Sequence, residues 1–170
     1  VSCTLDTGLT FRVDEPGRVG RDRIADAAAA AALYPLPCMT VDLGTATTYN
    51  VISADRAFLG GFIVPGVQTS LRAISAGTAQ LPPIAPEPPR DLIGRNTVEA
   101  LNSGAVFGTA AMLDGLAERV EAQLSAPLTV VATGGLAPYI TPCCRRKVIY
   151  DADLLFKGLA LLWERNRNSL

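Results

Sequence analysis

Apolar and polar positions along the chain fall into blocks of helical and of strand period. Arg21–Leu33 holds six consecutive alanines, Ala27–Ala32, and predicts a helix over roughly 21–33, slim enough for close packing. Turn-rich Asp14–Gly20 leads into it, and Pro35 and Pro37 end it. Cys38–Leu43 and Tyr49–Ser53 predict two strands around the small-residue turn Gly44–Thr48, a hairpin. Ala57–Val64 predicts a third strand containing Gly60-Gly61, with Pro65 in the first turn of a helix running to about Ala76. Five prolines between positions 82 and 89 reject a helix there and leave a flexible loop over about 82–93. Asn96 then caps a long helix whose apolar face carries Val98, Leu101, Ala105, Met112, Leu116 and Val120; Gly104, Gly108 and Gly115 should admit a close helix contact. Leu128–Ala132 predicts a buried strand, followed by Thr133-Gly134-Gly135 and a short helical stretch. Val148–Tyr150 predicts another strand. Leu155, Leu159 and Leu162 mark a final amphipathic helix starting near Asp151 or Asp153. The mixture predicts an α/β fold, a single unit over 1–170.

Composition narrows the chemistry. With 170 residues, 49% of them hydrophobic and 18% charged, the chain can bury a sizeable core. The net charge of −1 offers no basic surface to nucleic acid. There is no histidine, which excludes a Ser-His-Asp triad and the commonest zinc and iron ligand sets. Cys3, Cys38, Cys143 and Cys144 form no C-x-x-C pair and read as thiols of a reducing compartment. No signal peptide opens the sequence and no apolar run of about 20 residues suits a membrane. A cytoplasmic protein with no membrane partner is expected.

Three segments carry candidate chemistry. In Asp42-Leu43-Gly44-Thr45-Ala46-Thr47-Thr48 a strand-end carboxylate meets glycine and hydroxyls, which suits phosphate and cation binding; an ordinary hairpin turn with an Asx hydrogen bond uses the same residues. In Gly20-Arg21-Asp22-Arg23 an aspartate between arginines opens a helix. It could accept a hydroxyl proton while an arginine holds an anionic substrate, or the group could be a solvated capping cluster. Asp26, one turn on, reads as a solvated helix charge; a paired acid/base role with Asp22 is the lesser alternative. Gly134-Gly135 after a buried strand permits backbone approach to a nucleotide base, and serves equally well as a steric hinge.

In order, Val-Gly-Arg-Asp-Arg (19–23), Val-Asp-Leu-Gly-Thr-Ala-Thr-Thr (41–48), Leu-Gly-Gly-Phe-Ile-Val-Pro-Gly (59–66), Thr-Ala-Gln-Leu-Pro (78–82), Ile-Gly-Arg-Asn-Thr-Val-Glu-Ala (93–100) and Ala-Thr-Gly-Gly-Leu-Ala-Pro (132–138) closely resemble type III pantothenate kinase. The likeness runs the length of the chain, through Lys157-Gly158-Leu159 and Glu164-Arg165-Asn166. It implies an actin-like, ribonuclease-H-like kinase fold of the acetate and sugar kinase, heat-shock-cognate and actin superfamily. It implies phosphorylation of pantothenate by ATP, the entry to coenzyme A synthesis, by a homodimer whose substrate site borders the subunit interface. Position by position, Asp22 matches the proton acceptor within a pantothenate-binding stretch Gly20, Arg21, Asp22 and Arg23. Asp42 matches the ligand of a monovalent cation, K+ or NH4+. Gly44 and Thr45 fall in the ATP-phosphate turn, Thr97 matches a pantothenate contact, and Gly134 and Gly135 resemble the adenosine motif.

Two departures accompany the resemblance. The family opens with an Asp-x-Gly-Asn-Thr phosphate motif, with a magnesium-associated aspartate, and none precedes residue 20 here. About the first third of a family-length chain is therefore expected to be missing, and the 170-residue piece alone is expected to dimerise or aggregate without measurable kinase activity. A family tyrosine that touches pantothenate falls on Val13. The alternatives are a non-catalytic regulatory or binding relative of the same fold, and another phosphotransferase of the acetate and sugar kinase type.

Overall fold

The computed structural model describes residues 1–78 and 80–168; Ala79, inside the 78–82 motif, lies outside the described residues. Six strands form one mixed sheet: β1 Thr10–Phe11, β2 Cys38–Leu43, β3 Ala46–Ile52, β4 Ala57–Pro65, β5 Thr129–Thr133 and β6 Ile149–Tyr150. Their order is β1-β4-β3-β2-β5-β6. The β2–β3–β4 meander is antiparallel, while β5 joins β2, and β6 joins β5, in parallel. The helices are α1 Arg21–Leu33, α2 Val67–Gly77, α3 Thr97–Leu124, α4 Ala137–Ile140 and α5 Leu154–Asn166.

The period of 2 in β2 sorts its side chains between two layers. Met39, Val41 and Leu43 join the main core with Tyr49, Val106, Ala110, Leu113 and Val130, so α2, α3 and α4 cover that face. Cys38 packs on the other face against Ala27, Ala30 and Ala31 of α1, and Val131 meets Ala29 and Leu154. Thr40 and Asp42 therefore share the α1 face. Alanine is small enough to let α1 lie close to both sheet and α5, where Gly158 packs against Ala25.

Several expectations shift. Pro65 ends β4 and α2 starts at Val67, because Pro65 still pairs with Ala46 across the meander. Only Gly44 and Thr45 separate β2 from β3, so Thr47 and Thr48 are strand residues opposite Leu43 and Asp42. The buried face of α3 is offset from the apolar stripe: Val98 is exposed, and Asn102, Ser103, Ala110, Asp114 and Ala117 are buried. These polar residues go inward because they hold loops. Asn102 Oδ1 accepts from the Glu87 amide at 3.0 Å, Ser103 donates to the Leu92 carbonyl, and Asp114 Oδ2 accepts from the Arg145 amide at 2.8 Å. The proline-rich segment, without helix or strand, is thus tied to α3. Gly104 and Gly108 meet nothing nearby, and Gly115 meets only the Arg119 side chain; no close helix contact forms there among the described residues. In α5 the buried stripe is Leu154, Gly158, Leu162 and Asn166, while Leu159 is exposed, since the slim Gly158 faces α1. Among the described residues no helix is long and apolar enough to cross a membrane.

Candidate functional site at the start of α1

The chain enters α1 at Gly20, whose extended backbone (φ −55°, ψ 140°) leaves the first amides of the helix free. Asp22 fills that end: its Oδ1 accepts from the Arg23 amide at 2.9 Å. A Cβ at Gly20 would come within 2.6 Å of the same oxygen, so glycine there makes room for the carboxylate. Asp22 and Arg21 are exposed. Arg23 leans onto the sheet, donating from Nε to Asn50 Oδ1 at 2.6 Å, with its guanidinium carbon 5.6 Å from the Phe58 ring centroid. Burial pulls the Arg23 guanidinium below its ordinary value, and the Asp22 charge opposes this.

Asp26 is not the solvated charge expected from the sequence. It is 2% exposed, and its Oδ1 has no hydrogen-bond partner among the described residues. Burial, then the charges of Asp42 and Asp22, push its carboxyl up to about 7. Burial first and Asp22 second also raise the Asp42 carboxyl. Packing α1 over β2 thus brings Asp22, Asp26 and Asp42 within electrostatic reach of one another. None of the three takes part in an ion pair among the described residues.

Asp42 is walled on one side by the glycine turn after β5. Gly134 has φ +93°, and a Cβ on it would meet Asp42 Oδ1 and the Leu43 amide at 2.7 Å; only glycine lets this backbone pass the carboxylate. Gly135, with nothing near its own Cβ direction, opens the short α4. On the other side, the Thr45 carbonyl accepts from the Gly66 amide at 3.1 Å and from Thr69 Oγ1 at 2.7 Å. These bonds fasten the Gly44-Thr45 turn to the start of α2 and leave the Thr45 side chain exposed.

The fold gathers Gly20, Asp22, Arg23, Asp42, Gly44 and Gly134 around the contact of α1 with β2. Thr97 is not gathered: it is exposed in the first turn of α3, and among the described residues no hydrogen bond or ion pair joins it to that group. Val13 packs beside Phe58, close to the Arg23 stack. Asn50 and Thr40 are not among the residues singled out in the sequence, and Asp26 is singled out there only as a solvated charge. Asp26 could have been found as a lone charge inside an alanine face, four residues after Asp22. Asn50 and Thr40 could have been found as polar positions in otherwise apolar strands, in register with each other.

The arrangement favours positive charge. A half-buried carboxylate at Asp42 and a carboxylate oxygen at Asp26 without a partner among the described residues leave negative charge that a cation between them would offset. Among the described residues no three His, Cys, Asp or Glu side chains converge as a closed metal site.

Comparison with known proteins gives a consistent result. The sequence model of the type III pantothenate kinase family matches residues 1–119. Type III pantothenate kinases of Hyphomonas neptunium and Acidothermus cellulolyticus are each 44% identical, over 96% and 95% of this chain and 64% and 63% of their own lengths. The chain therefore spans less than two thirds of these curated relatives. A Campylobacter jejuni crystal structure, described as a conserved protein of the Baf family of transcriptional activators, superposes with TM-score 0.67 at 26% identity, covering 95% of this chain and 71% of that one.

Proposed function

Because the chain belongs to the type III pantothenate kinase family, with its mixed-sheet actin-like fold, we propose that as part of a family-length protein it transfers the γ-phosphoryl group of ATP to pantothenate. The observation that carries this reading is the meeting of Asp22, Asp26 and Asp42 beside a cationic Arg23, with no ion pair neutralising the carboxylates among the described residues. Such a site is built to receive a hydroxyl, a carboxylate and phosphates that arrive with cations.

In this reading Asp22, exposed and held at the helix end, takes the proton of the pantothenate primary hydroxyl. Gly20, Arg21 and Arg23 bind the rest of the substrate, Arg23 through the carboxylate. Gly44 and Thr45 offer amide and hydroxyl donors to phosphate oxygens, and Gly134-Gly135 leaves room for the adenosine. Asp42 holds K+ or NH4+, with Mg2+ arriving on ATP; bound there, these ions would supply the positive charge that phosphoryl transfer requires. The transition state is loose, so positioning and charge outweigh the base. Thr97 is remote within one copy; a homodimer whose interface borders the site would let it reach the substrate. We read residues 1–170 as one α/β unit of a cytoplasmic enzyme with no nucleic-acid or membrane partner.

The test joins this chain to the N-terminal third of the Hyphomonas neptunium relative and supplies ATP, Mg2+ and pantothenate. Phosphopantothenate should form, faster in potassium or ammonium than in sodium. Absence of product contradicts the reading, and equal rates in sodium and potassium remove the cation from Asp42. The description of the Campylobacter jejuni protein favours a second reading, a regulatory relative without turnover. A net charge of −1 and the intact Gly20–Arg23 stretch weigh against it, and DNA retention without product would favour it.

A further inference from the structure

Arg23 is fixed from two sides, and the way it is fixed has a chemical consequence. Its Nε donates to Asn50 Oδ1 at 2.6 Å. The Asn50 amide is itself held, because Nδ2 donates to Thr40 Oγ1 at 2.9 Å; both residues are 0% exposed and lie opposite each other in the β2–β3 register. Phe58, 1% exposed, supports one face of the guanidinium. A guanidinium can grip a carboxylate side-on, through Nε and one terminal nitrogen, or end-on, through the two terminal nitrogens. Asn50 takes the side-on edge. Among the described residues neither terminal nitrogen has a hydrogen-bond partner, so the end-on fork is what remains.

The choice of partner argues against a merely structural arginine. Two carboxylates lie close in sequence on the same helix, Asp22 next to Arg23 and Asp26 three residues on. Yet Arg23 forms an ion pair with neither, and its one side-chain hydrogen bond among the described residues goes to a neutral amide. Its charge is thereby kept for something else, while the amide sets its direction.

We propose that Asn50, oriented by Thr40, is a positioning residue that aims the end-on fork of Arg23 at the carboxylate of the substrate. The site thereby selects an acid over the corresponding alcohol. This rests on the reading of Arg23 as a pantothenate ligand. Removing Asn50 frees the guanidinium to rotate and to pair with Asp22, which costs carboxylate recognition and leaves contacts to the rest of the substrate in place.

The experiment measures binding of two probes to the family-length fusion by calorimetry: pantothenate, and pantothenyl alcohol, in which the carboxylate is replaced by a hydroxymethyl group. The wild type should prefer pantothenate by about tenfold or more, the size of one charge-assisted contact. Asn50→Leu should bring the two probes to within about threefold by weakening pantothenate alone, and Asn50→Asp, which keeps the acceptor but sets a buried carboxylate against the guanidinium, should also narrow the preference. In 15N NMR, the Arg23 Nε–H signal should be protected in the wild type and in Asn50→Asp. If Asn50→Leu does not fold, Thr40→Val, which removes the anchor of the amide, should narrow the preference in its place. A preference unchanged in Asn50→Leu or Thr40→Val overturns the role of Asn50. A wild type that binds the two probes equally, or neither, overturns the reading of Arg23 on which that role rests.

Discussion

Two buried aspartates lie along helix α1, Asp26 on its body and Asp151 beside its C-terminal end, and they are treated in opposite ways. Beyond its C-terminus, Asp151 is 6% exposed and fully partnered. Tyr34 Oη donates to it at 2.6 Å, Lys157 Nζ at 2.7 and 2.8 Å, and the Asp153 amide at 3.1 Å. Burial alone would raise its carboxyl, but Lys157, Tyr34 and the amide together hold it below the usual range. The same contact and burial push Tyr34 up to about 12. Midway along the helix Asp26 is 2% exposed, has an oxygen without a partner among the described residues, and is pushed up to about 7. Similar burial thus gives a staple beside the C-terminal end and an uncompensated carboxylate on the body of the helix. A fold that can satisfy a buried carboxylate with four hydrogen bonds, and does not do so at Asp26, leaves that group to be satisfied by what binds there.

The largest expected effect comes from breaking the staple. Asp151→Ala leaves Tyr34 and Lys157 without their acceptor and separates α1 from α5, at a cost of about 2–4 kcal/mol. Urea denaturation at pH 7 measures it, and a loss under about 0.5 kcal/mol, the level of an ordinary surface change, would remove the staple from the account. A smaller effect of opposite sign is expected at Asp26. Asp26→Asn removes a buried charge and should stabilise the chain by about 1–3 kcal/mol at pH 8.

The pH dependence separates the two aspartates further. Asp26 has a folded value near 7 against an ordinary 3.8, so the folded state binds the extra proton and stability falls as pH rises between those values. Asp151 is depressed, so its contribution is present above the ordinary carboxylate range and is lost as pH falls below it. Asp26→Asn should therefore gain over wild type at pH 8 and lose that advantage at pH 4. An advantage equal at both pH values would mean that Asp26 is not the group responsible.

Much of this was legible in the sequence where local chemistry decides. The alanine run placed a helix over roughly 21–33, where α1 runs from Arg21 to Leu33, and Asn96 does cap α3, accepting from the Glu99 amide at 3.0 Å. The Gly20–Arg23, Asp42–Thr45 and Gly134-Gly135 motifs were visible as motifs, and packing brought members of all three, Asp22, Asp42 and Gly134 among them, to one place. What stayed hidden depends on partners distant in sequence. Asn102, Ser103 and Asp114 turn inward to bind loop backbone, which displaced the predicted face of α3. Asp26 looks solvated until α1 is laid on the sheet, and Asn50 looks like an ordinary strand residue until Arg23 crosses 27 positions to reach it.

The most direct test of the central claim compares the two ends of α1 in turnover. In the family-length fusion, Asp22→Asn should lower the rate of phosphopantothenate formation by about 10²–10⁴-fold, the usual contribution of a general base, with ATP affinity little changed. Tyr34→Phe, at the stapled end, should lower stability and leave the rate per folded molecule near wild type. Wild-type turnover in Asp22→Asn would contradict the assignment of the α1 N-terminus as the reacting end of the molecule.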